Sequence, residues 1–260
     1  MPALSKNKLK YFCSLKIKKY RQQEKKFIIE GIKFCREALN ASVEINAFLY
    51  CPQTVSQDIV APFLTSCESQ SIPIYQLTPD MAKTLSDTVN SQGVFCVLNE
   101  LSNSIQTSRS SILLALDAAN DPGNVGSIIR TADWFGLSGV YLGENSVDLY
   151  NPKVLRATMG SIFHLPIVST QNLAQEIRSL KNNGFAVYGA DVRGEFYYKQ
   201  IQYSPPEILI IGNESQGISD DLLELCDYSI KIPARGKAES LNVAIANGII
   251  LSEMVLEYYG

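Results

Sequence analysis

The sequence holds one histidine, His164, and its six cysteines (Cys13, Cys35, Cys51, Cys67, Cys96 and Cys226) show no CxxC spacing. A zinc site of the finger or HExxH type needs paired ligands at short spacing, so no metal is expected. Thiols without a pairing pattern fit reduced, structural cysteines in a cytosol-like compartment, and a cytoplasmic location is expected. No apolar run reaches the length of a membrane span, and the lysine-spaced start lacks the apolar region of a secretory signal. No membrane partner is therefore expected. GxGxxG is missing after the first strand of either α/β run, which argues against a nicotinamide dehydrogenase. GxxxxGK[ST] and GxSxG are absent too, which argues against a P-loop nucleotidase and a serine hydrolase of the nucleophile-elbow type.

What is present is a sharp segregation of charge. Residues 1–36 hold eleven of the 23 lysines and arginines but only Glu24 and Glu30 among the 26 acidic residues, a net +9 against −12 in the rest of the chain. A solvated lysine-rich helix face is the plain reading. A surface that meets a polyanion is the functional one, because neutralised phosphates release counterions.

The pattern predicts one basic helix over 4–22 with Leu9, Phe12 and Cys13 on one side, then a strand at Phe27–Ile29 and a helix opened by Gly31. Strands at 45–50, 72–77 and 93–98 alternate with helices at 57–69 and 79–86, which implies a small α/β domain over 1–100. A polar stretch around 101–110 reads as a linker. A second α/β run fills 111–260, beginning with the continuously apolar strand Ile112–Leu116, as parallel strands buried on both faces require. His164 is expected as a structural residue in a strand over 163–168. The closing helix, 241–258, is apolar nearly all round and is expected to be buried in its own domain or against a second subunit.

Three loops carry the candidate chemistry. The first, Asn120–Gly126, leads into a helix bearing Arg130, an arginine among Ile128, Ile129 and Ala132 that needs an anion: a phosphate or carboxylate ligand, or a salt bridge. The second is Gly212–Gly217, where Gly212 is expected to let a ligand approach the main chain. The third is Ile232–Ala244, where Ser240 is expected to cap the last helix and Asn242 to lie in its first turn.

These loops are "NDPGNVGSIIRTADWFG" over 120–136, "ILIIGNESQGIS" over 208–219 and "IPARGKAESLNVAIANGII" over 232–250. In this order they resemble the three motifs of the SpoU-type (TrmH-like) RNA ribose 2′-O-methyltransferases of the SPOUT superfamily, and the resemblance covers residues 111–260. The front domain is similar, more loosely, to that family's ribosomal-protein-like RNA substrate-binding domain, through "KKYRQQEKKFIIEG" and "SDTVNSQGV". The resemblance implies a parallel-sheet α/β domain with a carboxy-terminal trefoil knot, S-adenosylmethionine as cofactor, RNA as substrate (ribosomal RNA first) and a homodimer. It implies that Asn124, Arg130, Glu214, Ser240 and Asn242 hold the polar catalytic positions, and that the main chain of Gly212, Ile232 and Leu241 holds the cofactor. Ser215, Ala234 and Trp134 depart from the usual pattern, and none is a catalytic position.

Methyl transfer to a ribose hydroxyl is an in-line displacement, so the protein must align the 2′-oxygen and help remove its proton. Arginine is a poor base in water, and the better role for Arg130 is to clamp the adjoining phosphate and stabilise the developing alkoxide, with the phosphate or a deprotonated arginine as the open alternatives for the proton's acceptor. Three rivals are a transfer RNA ribose methyltransferase, a non-catalytic RNA-binding or ribosome-assembly factor that keeps the fold, and a small-molecule α/β enzyme, which would leave the +9 segment without a purpose. The basic amino-terminal segment, with Lys16, Lys18, Lys19, Arg21, Lys25 and Lys26, is expected to position the RNA. Replacing Lys16, Lys18, Lys19, Lys25 and Lys26 by glutamine should weaken RNA binding and flatten its salt dependence, read from binding isotherms over a salt series; an unaltered slope contradicts the assignment.

Overall fold

The computed structural model describes residues 4–41, 43–102 and 104–259. These fall into two compact units: one holds the described residues up to Ser102 together with Tyr150–Phe163, the other the described remainder.

The first unit opens with α1 (Lys6–Ser14) and α2 (Lys18–Glu24), where the periodicity predicts a single helix. The chain breaks because Leu15 turns into the core, fully buried, and Ile17 is extended. The Arg21 guanidinium then donates to the Leu15 and Lys16 carbonyls at 3.0 and 2.7 Å, serving acceptors that the end of α1 leaves open. Arg21 is buried, so its assignment to the RNA-facing surface is corrected: its Nη1 is committed to the turn. Lys16 is also tied down, donating to the Ser86 carbonyl at 2.9 Å and pairing with Asp87 at 2.9 Å. Lys18 and Lys19 are exposed, Lys25 is exposed and pairs with Glu100 at 3.4 Å, and Lys26 is half-buried.

There follow β1 (Lys26–Glu30), α3 (Ile32–Asn40), β2 (Ile45–Tyr50), α4 (Gln57–Ser69), β3 (Ile74–Gln76), α5 (Pro79–Leu85) and β4 (Val94–Asn99). The sheet order is β1-β4-β2-β3, with β4 antiparallel to β1 and β2, and β2 parallel to β3. Its core takes Phe12 and Leu15 from the first helix and the turn after it, together with Leu49, Leu85, Phe95 and Val97.

The second unit contains β5 (Ile112–Leu116), α6 (Pro122–Trp134) and β6 (Gly139–Leu142). The chain then lends α7 (Pro152–Thr158) and a 3-10 turn at Ser161–Phe163 to the first unit. There Tyr150 stacks on Phe27 at 4.5 Å, its hydroxyl accepts from the Leu101 amide at 2.8 Å, and Phe163 lies 5.4 Å from Phe34. The second unit resumes with β7 (Ile167–Ser169), α8 (Leu173–Asn182), β8 (Ala186–Ala190), β9 (Phe196–Tyr197), a 3-10 turn at Tyr198–Gln200, β10 (Glu207–Ile211), α9 (Asp220–Leu223), β11 (Tyr228–Lys231) and α10 (Val243–Tyr259).

All seven strands of this sheet run parallel in the order β7-β6-β5-β10-β8-β11-β9. The centre is β5 against β10, Leu114 opposite Leu209, with every residue of both strands buried. The chain leaves β5 toward β6 and β7 on one side and returns to β8 on the other. The loops after β5, β10 and β11 therefore emerge at one end of the sheet, beyond the strands' carboxyl ends.

The strand predicted over 163–168 begins only at Ile167, because Pro166 donates no amide to a ladder while its carbonyl accepts from Val140 at 2.9 Å. His164 accordingly lies outside the strand, about half exposed, with Nδ1 3.3 Å from an Asp133 carboxylate oxygen. Among the described residues no helix is long and apolar enough to cross a membrane.

Cys35, Cys51, Cys67 and Cys96 are buried and Cys13 and Cys226 partly so. Burial pushes the Cys67 thiol up to about 12 and the Cys226 thiol up to about 11, which leaves little thiolate at pH 8. Ellman titration of the native protein should release at most two thiols, slowly, and all six in guanidinium; rapid native release of more than two contradicts this packing.

Candidate active site

Each of the three loops is held by its own side chains before it meets the others. In the first, Asp121 caps α6, its Oδ1 accepting from the Asn124 amide at 2.7 Å, with Pro122 at the first helical position. In the second, the amides of Ser215 and Gln216 donate to Asn213 Oδ1 at 2.9 and 3.2 Å, and Asn213 and Gly217 exchange backbone hydrogen bonds at 2.9 Å each. A Cβ on Gly212 would lie 2.2 Å from the Gly217 carbonyl carbon. The glycine is thus required by the turn folding back on itself, and the space expected for a ligand at that position is filled by the protein's own backbone. In the third, Asn242 Oδ1 accepts from the amides of Ala244 and Ile245 at 2.9 and 3.3 Å. Asn242 is therefore the cap of α10, and Ser240, expected in that role, lies two residues upstream with no hydrogen bond among the described residues.

The first two loops are stitched together by Asn213 Nδ2 donating to the Ala118 carbonyl at 2.7 Å and by the Ser219 amide donating to Asp117 Oδ2 at 2.8 Å. All three then meet at one side chain. Asn124 Nδ2 donates to Glu214 Oε1 at 3.0 Å, and Asn242 Nδ2 donates to Asn124 Oδ1 at 2.9 Å. The direction of every bond is dictated. An ionised carboxylate only accepts, so Asn124 must turn its NH₂ to Glu214 and its oxygen to Asn242, whose own oxygen is fixed on the α10 amides.

Arg130 lies six residues beyond Asn124 on α6, about 240° around the axis, so the two do not share a face. The cost of burying it does not arise. Ile128, Ile129 and Ala132 face the core while Arg130 is exposed, its side chain making no ion pair or hydrogen bond among the described residues.

Beside the network, the third loop walls a cleft of about 470 Å³, within the range of small-molecule sites. Ile232, Ser240 and Leu241 line it, as does Ile250 of α10; Gly212 is not among its lining residues. The sequence reading missed Asp191 and Tyr197, which line the cleft from the segment after β8. A polar residue just past the carboxyl end of a strand was a usable signal for Asp191. Nothing local marks Tyr197. Hydrogen bonds from Arg193 hold the Asp191 carboxyl below the ordinary carboxylate range, against an opposing effect of burial, so Asp191 is charged at neutral pH.

Residues 111–252 match the model of the SpoU rRNA methylase family, and residues 6–96 match that of the MRM3-like substrate binding domain. A protein of Bacillus subtilis (strain 168) named 23S rRNA (guanosine(2553)-2′-O)-methyltransferase RlmP is 35% identical over 245 residues, covering 94% of each chain. The crystal structure of the SpoU methyltransferase AviRb from Streptomyces viridochromogenes in complex with AdoMet superposes with a TM-score of 0.88 at 26% identity, covering 98% of this chain and 99% of that one. An AdoMet-bound rRNA methyltransferase from Sinorhizobium meliloti gives a TM-score of 0.87 at 30% identity, over 98% of this chain and 96% of the other. With the three loops joined through Asn124 and most of its length matched, the chain belongs to the SpoU rRNA methylase family.

Proposed function

We propose that the protein methylates a ribose 2′-hydroxyl of RNA, ribosomal RNA in the first place, with S-adenosylmethionine as donor. The observation that carries the reading is the convergence of three family motifs on the Glu214–Asn124–Asn242 network beside a cleft of cofactor size. The residues fit that donor. Ile232, Leu241 and Ile250 offer apolar walls for a purine, the main chain of the third loop offers amides and carbonyls, and the Asp191 and Glu239 carboxylates offer acceptors for ribose hydroxyls. S-Adenosylmethionine supplies the methyl group on a sulfonium, a good leaving group.

Asn124, Glu214 and Asn242 act as positioning residues, locking the loop of α6 to the mouth of the cleft. Arg130 acts through charge: with no side-chain partner among the described residues, it clamps the phosphate next to the target ribose and stabilises the 2′-oxyanion as its proton passes to that phosphate or to a deprotonated guanidine.

A homodimer goes with this reading. α10 leaves Ile245 and Leu256 more than half exposed, and Trp134 of the neighbouring α6 is 85% exposed. Apolar exposure of this kind on packed helices is what a second subunit covers. A ribosomal RNA substrate and six unpaired thiols go with a cytoplasmic location, and the knot implied by the motifs belongs to the same proposal.

The direct experiment incubates the protein with ribosomal RNA and labelled S-adenosylmethionine and maps ribose methylation; absence of donor binding by calorimetry would favour a non-catalytic assembly factor. Arg130→Ala should keep donor affinity while lowering turnover roughly 100-fold or more, the scale of removing one oxyanion stabiliser, and unchanged single-turnover rates would refute its role. Ile245→Asp should yield a monomer by light scattering with unchanged circular dichroism; a variant with the parent's mass would remove α10 from the subunit interface.

A further inference from the structure

A second cavity, unused by the chemistry above, lies wholly within the first unit. It is a groove of about 290 Å³ between the start of α3, the loop 86–92 and the end of α7. The loop is built to hold its shape. The Glu30 carboxylate accepts from the hydroxyls of Ser86, Thr88 and Ser91 at 2.7, 3.1 and 2.7 Å and from the Asp87 amide at 3.3 Å. Gln92 Oε1 accepts from the Ile32 amide at 2.8 Å, which fastens the loop to the first turn of α3. Val89, at the loop's tip, is fully exposed.

Two cations face this groove without partners. Arg156 is half-buried and Lys33 exposed, and neither side chain makes an ion pair or hydrogen bond among the described residues. The carboxylates that share a cavity wall with Arg156 are engaged elsewhere: Glu30 by the loop, and Asp87 by Lys16 at 2.9 Å. Leaving a guanidinium half out of water with no anion is costly, so the missing partner is an anion from outside the chain. The groove also has an apolar side, Met159 backed by Phe34, and side-chain amides at its edge from Asn90 and Gln92. Met159 is held outward in a left-handed conformation, φ 53°, at the end of α7.

We propose that this groove takes a single unstacked nucleotide of the RNA substrate, its phosphate held by Arg156 and Lys33 and its base lying against Met159 with its edge toward Asn90 and Gln92. The inference rests on the reading of the chain as an RNA ribose methyltransferase. Two cations, an apolar face and side-chain amides together suit a nucleotide, and a groove of this volume admits one base and no duplex. The net charge of +9 over residues 1–36 favours a polyanion over a free nucleotide.

The test measures binding of the full-length protein to a fluorescein-labelled, mixed-sequence single-stranded RNA of about twelve nucleotides, a length spanning one protein site, and to the same sequence as a duplex, over a salt series. Arg156→Gln and Lys33→Gln should each weaken single-strand binding roughly fivefold at about 0.1 M salt and lower the salt slope by about 0.7, the loss of one phosphate contact. Arg156→Lys should restore the slope. In 4-thiouridine cross-linking, peptides carrying residues 86–92 or 152–159 should be labelled. Parent-like affinity and slope in both glutamine variants, or cross-links confined to other segments, overturn the groove while leaving the methylation reading intact. A parent chain that binds neither S-adenosylmethionine nor RNA overturns both.

Discussion

The arrangement of the second unit depends on the primary amide of Asn124, which donates to Glu214 and accepts from Asn242. Its two ends are chemically unlike, and each partner accepts only one of them. Glu214 takes a donor; Asn242 can offer only its NH₂, because its oxygen is spent on the first amides of α10. The network therefore has one orientation. It transmits the position of a helix start to a turn and on to a second helix, across 118 and 90 sequence positions. Aspartate at 124 would lose the donor and set a second carboxylate against Glu214. Leucine would leave Glu214 and Asn242 without their partner. A polar network of this kind contributes little net stability and much definition of geometry.

That geometry is useful because of where the parallel sheet puts it. β5 and β10 are neighbours with every residue buried, so their carboxyl ends, and the loops that follow, cannot drift apart without opening the core. The Asn213 and Asp117 hydrogen bonds then fix the two loops to each other at their bases. Arg130 is exposed beside this frame, and its side chain has no partner among the described residues. Rigidity of the loops and freedom of the arginine are separate provisions, and the fold supplies both by placing Asn124 and Arg130 on different faces of one helix.

How far the sequence reveals this depends on the range of the forces involved. β2, α4 and β5 fall where the apolar pattern places them, since burial on one or both faces is written into consecutive residues. The motifs are legible because three loops in fixed order are a long-range signal in themselves. The break between α1 and α2 is not legible, because it is caused by Leu15 entering the core and Arg21 reaching back to bare carbonyls, both tertiary events. Asn242 and Ser240 are both good caps by type, and only the path of the chain into α10 chooses between them. Tyr197 lines the cleft from a connection whose residues carry no period.

The segment Tyr150–Phe163 has a consequence for how this molecule can be cut. It sits in sequence among strands of the second unit, yet Tyr150 covers Phe27, Phe163 meets Phe34, and Gly160 passes so close to Glu37 that a Cβ there would lie 2.8 Å from its side chain. A recombinant fragment ending at the polar stretch near residue 100 would leave two phenylalanines uncovered, and a fragment beginning there would carry a strap with nothing to fasten. The fold is sewn from one thread that doubles back, and no scissor position in the linker yields two finished halves.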